Sequence, residues 1–322
     1  YSGTNLFSIF AQPKNIINSD FWRMLFEIVR FNRNVEKDVK SFSNLTIDQY
    51  LKKKKYSNYY IYNHLYPMAG SIWSSKIGDI KNYPFDKFVS FFANHGLLKI
   101  FNRPKWRTVK DGSRSYVEKI LKNKKIKFYK STSVKVKKKK KKIYLNIKGS
   151  IKSYDHLVIA THSDQVRSVL NLGVVEKKIF TKMIYKKNVV YLHSDKSLMP
   201  KNMKVWSSWN YLQSSTNAGK LTVTYWMNKL QNLKTDTHIF VSLNPFKKPK
   251  KEKIFKIIEY EHPHYNFETF RKQKEIDNIQ GRENIWFCGA YLGYGFHEDG
   301  ISSSMNVARR IHDFEKEKFN EL

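Results

Sequence analysis

The sequence predicts an α/β protein whose second domain is α+β, and three stretches carry that prediction. Asn284 to Ile311, NIWFCGAYLGYGFHEDGISSSMNVARRI, reads as strand, glycine-rich turn and helix. The apolar run Ile285 to Cys288 has the length of a buried strand, and Gly289, Gly293, Gly295 and Gly300 follow it. Ile301, Met305, Ala308 and Ile311 then recur at helical spacing. Tyr154 to Ala160 ends in HLVIA, a continuous apolar run of the kind a parallel sheet buries on both faces. Finally, Asn188 to His193, Lys204 to Trp209, Lys220 to Met227 and His238 to Leu243 read as strands of a second, largely antiparallel sheet.

In chain order, Asp20 can cap a helix carrying Phe21, Leu25, Ile28 and Val29 on one side. Thr46-Ile47-Asp48-Gln49 has a hydroxyl cap and a glutamine three residues on, the signature of a second helix start. Tyr56 to Ser75 is dense in aromatics, which suits a hydrophobic core or a substrate tunnel equally. Phe85 to Leu98 reads as an amphipathic helix stopped by Gly96. Asp111-Gly112-Ser113 precedes a helix over Tyr116 to Leu121, and strands follow at Ile126 to Tyr129, Val134 to Val136 and Ile143 to Ile147. The lysine run Lys137 to Lys142 lies between alternating segments, with Ile143, Leu145 and Ile147 on one face, as at a solvated hairpin end. Thr161-His162-Ser163-Asp164 turns from HLVIA toward a helix with Val166, Val169 and Leu170. Gln213 to Gly219 is a polar loop, Ile254 to Tyr260 a further extended segment, and the tail beyond His312 a charged helix.

A chain of 322 residues suggests two domains, and 41% hydrophobic content with 15% aromatics marks it as globular. The one cysteine, Cys288, excludes a disulfide framework and fits a reducing, cytoplasmic compartment. Its apolar neighbours make it a core residue rather than a nucleophile. The net charge of +33 is mostly lysine beside abundant Asn, Ile, Tyr and Phe, as an AT-rich coding sequence would produce. Such a surface attracts anionic lipid or nucleic acid non-specifically, and no motif for specific nucleic-acid recognition accompanies it. No apolar run approaches the ~18 residues of a membrane span, and no signal peptide is visible. The chain begins at Tyr1 rather than methionine, which reads as a fragment or a processed chain.

The strand–turn–helix unit of Asn284 to Ile311 is either an ordinary βα connection or a site where backbone N–H groups meet an anion or a flat ligand. His262 and His264 have metal-like spacing, but no second ligand cluster completes a site, so no metal is expected. There is no GxSxG elbow and no P-loop. Gly293-Tyr294-Gly295 starts like a GxGxxG fingerprint, but Glu298 takes the third glycine's place, after a turn already begun at Gly289.

YSGTNLFSIFAQPKNIINSDFWRMLFEIVRFNR, PMAGSIWSS, FFANHGLL, RPKWRTVKDGSRSYV, HLVIATHSDQ, WSSWNYL, VTYWMNKLQ, SLNP, EYEHP and IWFCGAYLGYGFHEDG together resemble one family over nearly all of the chain. These segments are similar, in order, to FAD-dependent oxidoreductases related to amine oxidases. More closely they resemble the bacterial NAD/FAD-binding-protein branch often found beside cyclopropane fatty acid synthases. The resemblance implies a Rossmann-type FAD-binding domain interleaved with a substrate domain of helices and an antiparallel sheet. It divides the chain into substrate segments at 1–105 and 171–275 and FAD-binding segments at 106–170 and 276–322. It also implies flavin redox chemistry on a small molecule, with a lipid acyl chain as candidate substrate; the basic surface, separately, makes an anionic membrane a candidate peripheral contact.

Residue by residue, the resemblance implies that Gly289 and Ala290 approach the FAD phosphates and ribityl chain. Glu298, Asp299 and Gly300 match the turn at the isoalloxazine and ribityl. Val134 matches the position whose backbone faces the adenine, and Ala160, Thr161 and His162 match the strand end beside the cofactor. Tyr291, Tyr294, Phe296 and His297 would line the substrate side of the flavin, with Trp73 and Trp226. His297, with Tyr294 beside it, is the candidate proton donor or acceptor, and a hydrogen-bonded structural histidine is the other reading of it. The family's opening strand, GxGxxG loop, helix and ribose-binding acid do not occur in this sequence, so the N-terminal part of the Rossmann-type domain is absent. A non-catalytic remnant of the fold, and a basic protein that binds nucleic acid or anionic membrane, are the alternatives.

Overall fold

The computed structural model describes residues 1–320 except 4, 5, 74, 103, 106, 140, 141 and 214–220. Helix α1 spans Ser19–Phe42 and is capped by Asn18, whose side chain accepts the Phe21 N–H; the cap thus lies two residues before the expected Asp20. Its buried face is Phe21, Met24, Glu27, Phe31 and Val35, a stripe rotated from the expected one with only Phe21 in common. Helix α2, Ile47–Lys53, starts with the capping box read from the sequence: Thr46 accepts from the Gln49 N–H, and the Gln49 side chain accepts from the Thr46 N–H. Helix α3, Phe85–Asn94, ends before Gly96, whose φ of 64° provides the left-handed turn that stops it.

Strands β1 (Val134–Lys139), β2 (Lys142–Ile147) and β3 (Ser150–Tyr154) form an antiparallel meander. The hairpin is therefore present, and Ile143 and Ile147 face inward as expected. Its tip, residues 140 and 141, lies outside the described residues. Ile126 to Tyr129 forms no strand, and Ile126 and Phe128 stay exposed, because no neighbouring strand supplies a ladder for them. Strand β4, Leu157–Ile159, is the core of HLVIA.

Strand β5 is Tyr185–His193, β6 Trp209–Gln213, β7 Leu221–Trp226, β8 Phe240–Leu243 and β9 Ile254–Pro263. They make one sheet in the order β6-β7-β8-β5-β9, and the β6–β7, β7–β8 and β8–β5 pairs are antiparallel. The expected strand at 204–209 is instead a single 3-10 turn, Met203–Val205, held by the Asn202 side chain on the Lys204 N–H; pairing begins only at Trp209. The expected loop at 213–219 falls, after Gln213, outside the described residues. Helix α4 is Phe267–Asp277, β10 is Ile285–Phe287, and α5 is His297–Asn320.

The chain divides into two units, residues 1–120 with 187–261, and residues 121–186 with 262–322. These divisions stand beside 105, 170 and 275, the boundaries the resemblance implies. The first unit holds α1 to α3 and most of the five-stranded sheet. Its aromatic core includes Tyr50 stacked on Phe85 at 3.9 Å between ring centroids. A buried polar chain crosses the sheet: His193 Nε2 lies 2.8 Å from Ser242 Oγ, and Ser242 Oγ lies 2.7 Å from Thr224 Oγ1.

The second unit is built on β10 and β4, which pair in parallel with Ile285 opposite Leu157 and Phe287 opposite Ile159. Alternate residues of β10 enter different clusters: Ile285 and Phe287 pack with Ile159, Phe180 and Ile276, while Trp286 and Cys288 pack with Val307 of α5. Burial on both faces explains the unbroken apolar run, and it places Cys288 in the core. Helix α5 buries Val307 and partly Ile311, whereas Ile301, Met305 and Ala308 are exposed. The expected stripe is thus displaced around the helix, because Ile311 borders both faces and the sheet takes the Val307 side.

Candidate functional site

The second unit brings two loops together at the carboxyl ends of its parallel strands. The Cys288 N–H donates to the Ile159 carbonyl at 3.1 Å, so β10 and β4 release their chains side by side. A Cβ placed on Gly289 would lie 3.7 Å from the Thr161 carbonyl oxygen, and one on Gly300 would lie 3.7 Å from the Ala290 nitrogen. Thr161, Gly289, Ala290 and Gly300 therefore converge, although 129 positions separate Thr161 from Ala290 (290 minus 161). The ends of adjacent parallel strands are where α/β sheets bind ligands.

The glycine turn is held from three sides. Gly289 has φ 149° and ψ 165°, and a Cβ there would strike the Tyr291 ring at 2.7 Å, so glycine is required. Its N–H donates to Ser303 Oγ at 3.0 Å. Asp299 accepts the N–H groups of Tyr294 at 3.1 Å and Phe296 at 2.8 Å, closing the loop over the start of α5. The Gln273 side chain on α4 donates to the Tyr291 and Gly293 carbonyls at 2.9 and 2.7 Å. With Leu292, Gly293 and Gly295 also bonded within the turn, most of its N–H groups are used internally. The Ala290 N–H has no acceptor among the described residues, and its nitrogen lies 3.7 Å from a Cβ placed on Gly300.

The sequence-predicted residues distribute unevenly over this geometry. Ala160, Thr161 and His162 follow β4, and the Thr161 carbonyl lies 3.7 Å from a Cβ placed on Gly289. Helix α5 begins at His297, so Gly300 lies in its first turn with Glu298 and Asp299. Asp299 is occupied in organising the loop, and Glu298 is exposed. Tyr294 and Phe296 are half-buried and His297 is exposed.

Tyr291 lies deeper than Tyr294 and Phe296: it is 2% exposed and packs in the cluster of Ile159, Phe180 and Phe287. Burial pushes its hydroxyl pKa up. Val134 sits on β1 opposite Ile147, in the antiparallel meander. Trp73 and Trp226 belong to the first unit. Trp73 is packed among Tyr83, Phe88, Phe91 and Phe92, and Trp226 against Trp206 and His238.

Part of a group of side chains beside the turn carries no local sequence signature. The His162 ring stacks on Tyr185 at 4.8 Å, and the Tyr185 hydroxyl accepts the Ser163 N–H at 3.2 Å. Burial raises the Tyr185 pKa, and burial with the nearby His162 charge lowers that of His262. One carboxylate oxygen of Asp164 is buried without a partner among the described residues. A Cβ on Gly295 would meet the Tyr265 hydroxyl at 2.7 Å, which joins the end of β9 to the same turn. His162, Ser163 and Asp164, just past HLVIA, stand where a βα turn pointed, whereas Tyr185, His262 and Tyr265 do not. No cluster of three metal-binding side chains occurs among the described residues, and no helix among them is long and apolar enough to cross a membrane.

No protein-family profile and no curated protein sequence matches this chain. Solved structures do match. A CLA-producing fatty acid isomerase from P. acnes superposes with a TM-score of 0.59 at 12% identity, over 91% of this chain and 75% of that one. An oxidoreductase from Methanosarcina mazei gives 0.58 at 10% identity, over 92% and 74%. Cyclohexylamine oxidase from Brevibacterium oxydans gives 0.54 at 9% identity, over 90% and 75%. The chain shares the mixed helix-and-sheet fold of these three enzymes.

Proposed function

We propose that this chain is a flavin-dependent oxidoreductase that uses FAD, with the second unit holding the cofactor and the first recognising substrate. One observation carries the reading: Thr161, Gly289, Ala290 and Gly300 converge at the ends of β4 and β10, with an Ala290 N–H that has no acceptor among the described residues. The shared fold with two oxidoreductases supports it, and so does the family resemblance of the glycine turn.

The residues present fit a flavin better than a bare phosphate. Carboxylates of Glu298 and Asp299 crowd the N-terminus of α5 and would repel an anion placed on the helix end. The exposed Glu298 carboxylate can instead accept hydrogen bonds from sugar-alcohol hydroxyls. Gly300, open on its outer side, leaves the first turn of α5 accessible to the flat edge of a ring. FAD, when bound, supplies hydride acceptance or donation. His297, exposed in the first turn of α5, moves a proton to or from substrate, while Tyr294 and Phe296 shield that side from water. Val134, on β1, would help to hold the adenine through its backbone.

The sequence has no GxGxxG segment for the pyrophosphate, so tight binding needs a βαβ segment supplied with it. One strand position for such a segment is free: β4 has a strand neighbour on one side only among the described residues. A lipid acyl chain is the proposed substrate class, in line with the shared fold of the fatty acid isomerase. A fold without cofactor is the second reading, and the internal use of the turn's N–H groups favours it. Titrating FAD into the chain, alone and fused to a GxGxxG βαβ segment, separates the two. Flavin retained only by the fused chain supports the first reading, and flavin retained by neither supports the second.

A further inference from the structure

We propose that the first unit docks on an anionic lipid surface through the segment from Phe7 to Phe26. Four large apolar side chains there are left in water: Phe7 is 91% exposed, Ile17 89%, Phe26 67% and Trp22 50%. Ile16 beside them is also exposed. Trp22 and Phe26 are one turn apart on α1 and share its outward face. The patch is firmly held. The Trp22 indole donates to the Ile16 carbonyl at 2.8 Å, and its ring packs on Phe10 at 5.3 Å, with Phe10 against Phe21 of the core at 6.0 Å.

Charge complementarity selects the occupant. The outward stripe of α1 that begins with Trp22 and Phe26 continues into Arg33, Lys37 and Lys40, all exposed. Lys14 adds positive charge at the apolar end, where Arg23 is ion-paired with Glu27 at 3.7 Å, and the opposing carboxylates along the helix are Asp20 and Glu36. An apolar end with an indole and phenyl rings, flanked by lysine and arginine, is what the headgroup layer of an anionic membrane binds. The whole chain, at +33, is drawn toward such a surface. With no helix able to cross a bilayer among the described residues, the contact is peripheral. The proposal stands apart from the cofactor assignment.

Flotation of the full chain with phosphatidylcholine vesicles, with and without about one-third phosphatidylglycerol, tests it. The chain should float with the anionic vesicles only. Trp22→Ser with Phe26→Ser should lower that partition about tenfold or more, while Lys137→Glu in the exposed hairpin leaves it within about twofold. Phe7→Ser with Ile17→Ser is a second pair that should reproduce the loss, so a folding defect in either pair does not end the test. Equal flotation of both pairs and the parent chain overturns the proposal, because the charge alone would then bind. Absence of flotation by the parent, or a patch that mediates only self-association in size-exclusion chromatography, overturns it as well.

Discussion

At the scale of the residue, Gly300 and His193 carry opposite kinds of prediction. A Cβ at position 300 meets nothing closer than the Ala290 nitrogen at 3.7 Å, so the fold itself does not require glycine there. Gly300→Ala should keep or raise thermal stability, by up to ~1 kcal/mol from helix propensity. Gly300→Val in a chain carrying the pyrophosphate segment should weaken FAD binding by about tenfold or more if, as proposed, the ring edge approaches the backbone there. Isothermal titration of both variants checks this, and normal flavin affinity in Gly300→Val would make the glycine a packing feature only. His193 is buried, and desolvation lowers its pKa to about 4 from 6.5. The unfolded chain takes up a proton as pH falls through 6.5, while the folded chain resists until about 4. Stability is therefore full above pH 6.5 and falls on acidification through that window. Urea midpoints measured at intervals across this window should decline with pH, and His193→Gln should flatten that decline.

At the scale of the element, β10 is sealed on its outer edge by one side chain. Gln280 accepts the Phe287 N–H at 2.9 Å and donates to the Phe287 carbonyl at 2.7 Å, standing in for a missing strand. Gln280→Ala should cost ~1–3 kcal/mol by leaving two buried backbone groups unpaired. Gln280→Glu, which can accept but not donate when ionised, should lose only part of that; equal chemical-denaturation curves for all three proteins would show that the clamp is unimportant. Much at this scale was legible. The Thr46–Gln49 box, the stop at Gly96 and the strand of Ile285 to Cys288 are fixed by nearby residues or by burial on both faces, whereas the HLVIA strand buries Ile159 and leaves Val158 exposed. What was not legible depends on partners: Ile126 to Tyr129 has strand composition and no neighbour, and α5 could have turned either apolar side to the sheet. The site follows the same division. Gly289, Ala290, Thr161 and Gly300 were readable as turn and strand-end residues, whereas Tyr185, His262, Tyr265 and Gln273 reach the turn only through the fold.

At the scale of the molecule, each unit has its own core, and the chain enters the second unit twice, at 121–186 and 262–322. The two visits supply β4 and β10, so the candidate site exists only when both segments fold together. The Cys288 N–H points toward β4, and since backbone groups alternate in a parallel ladder, those of Val158 face away from β10. That edge, with Val158 exposed and no second strand beside it among the described residues, is where a βαβ segment bearing GxGxxG would pair. The most direct test of the flavin reading is the visible absorbance of protein re-isolated by gel filtration after incubation with FAD. A chain carrying that segment before Tyr1 should retain about one FAD per chain, and the 322-residue chain by itself should retain little. A colourless fused protein that is otherwise folded would contradict the account, and tight stoichiometric FAD in the unfused chain would show that the pyrophosphate is bound elsewhere.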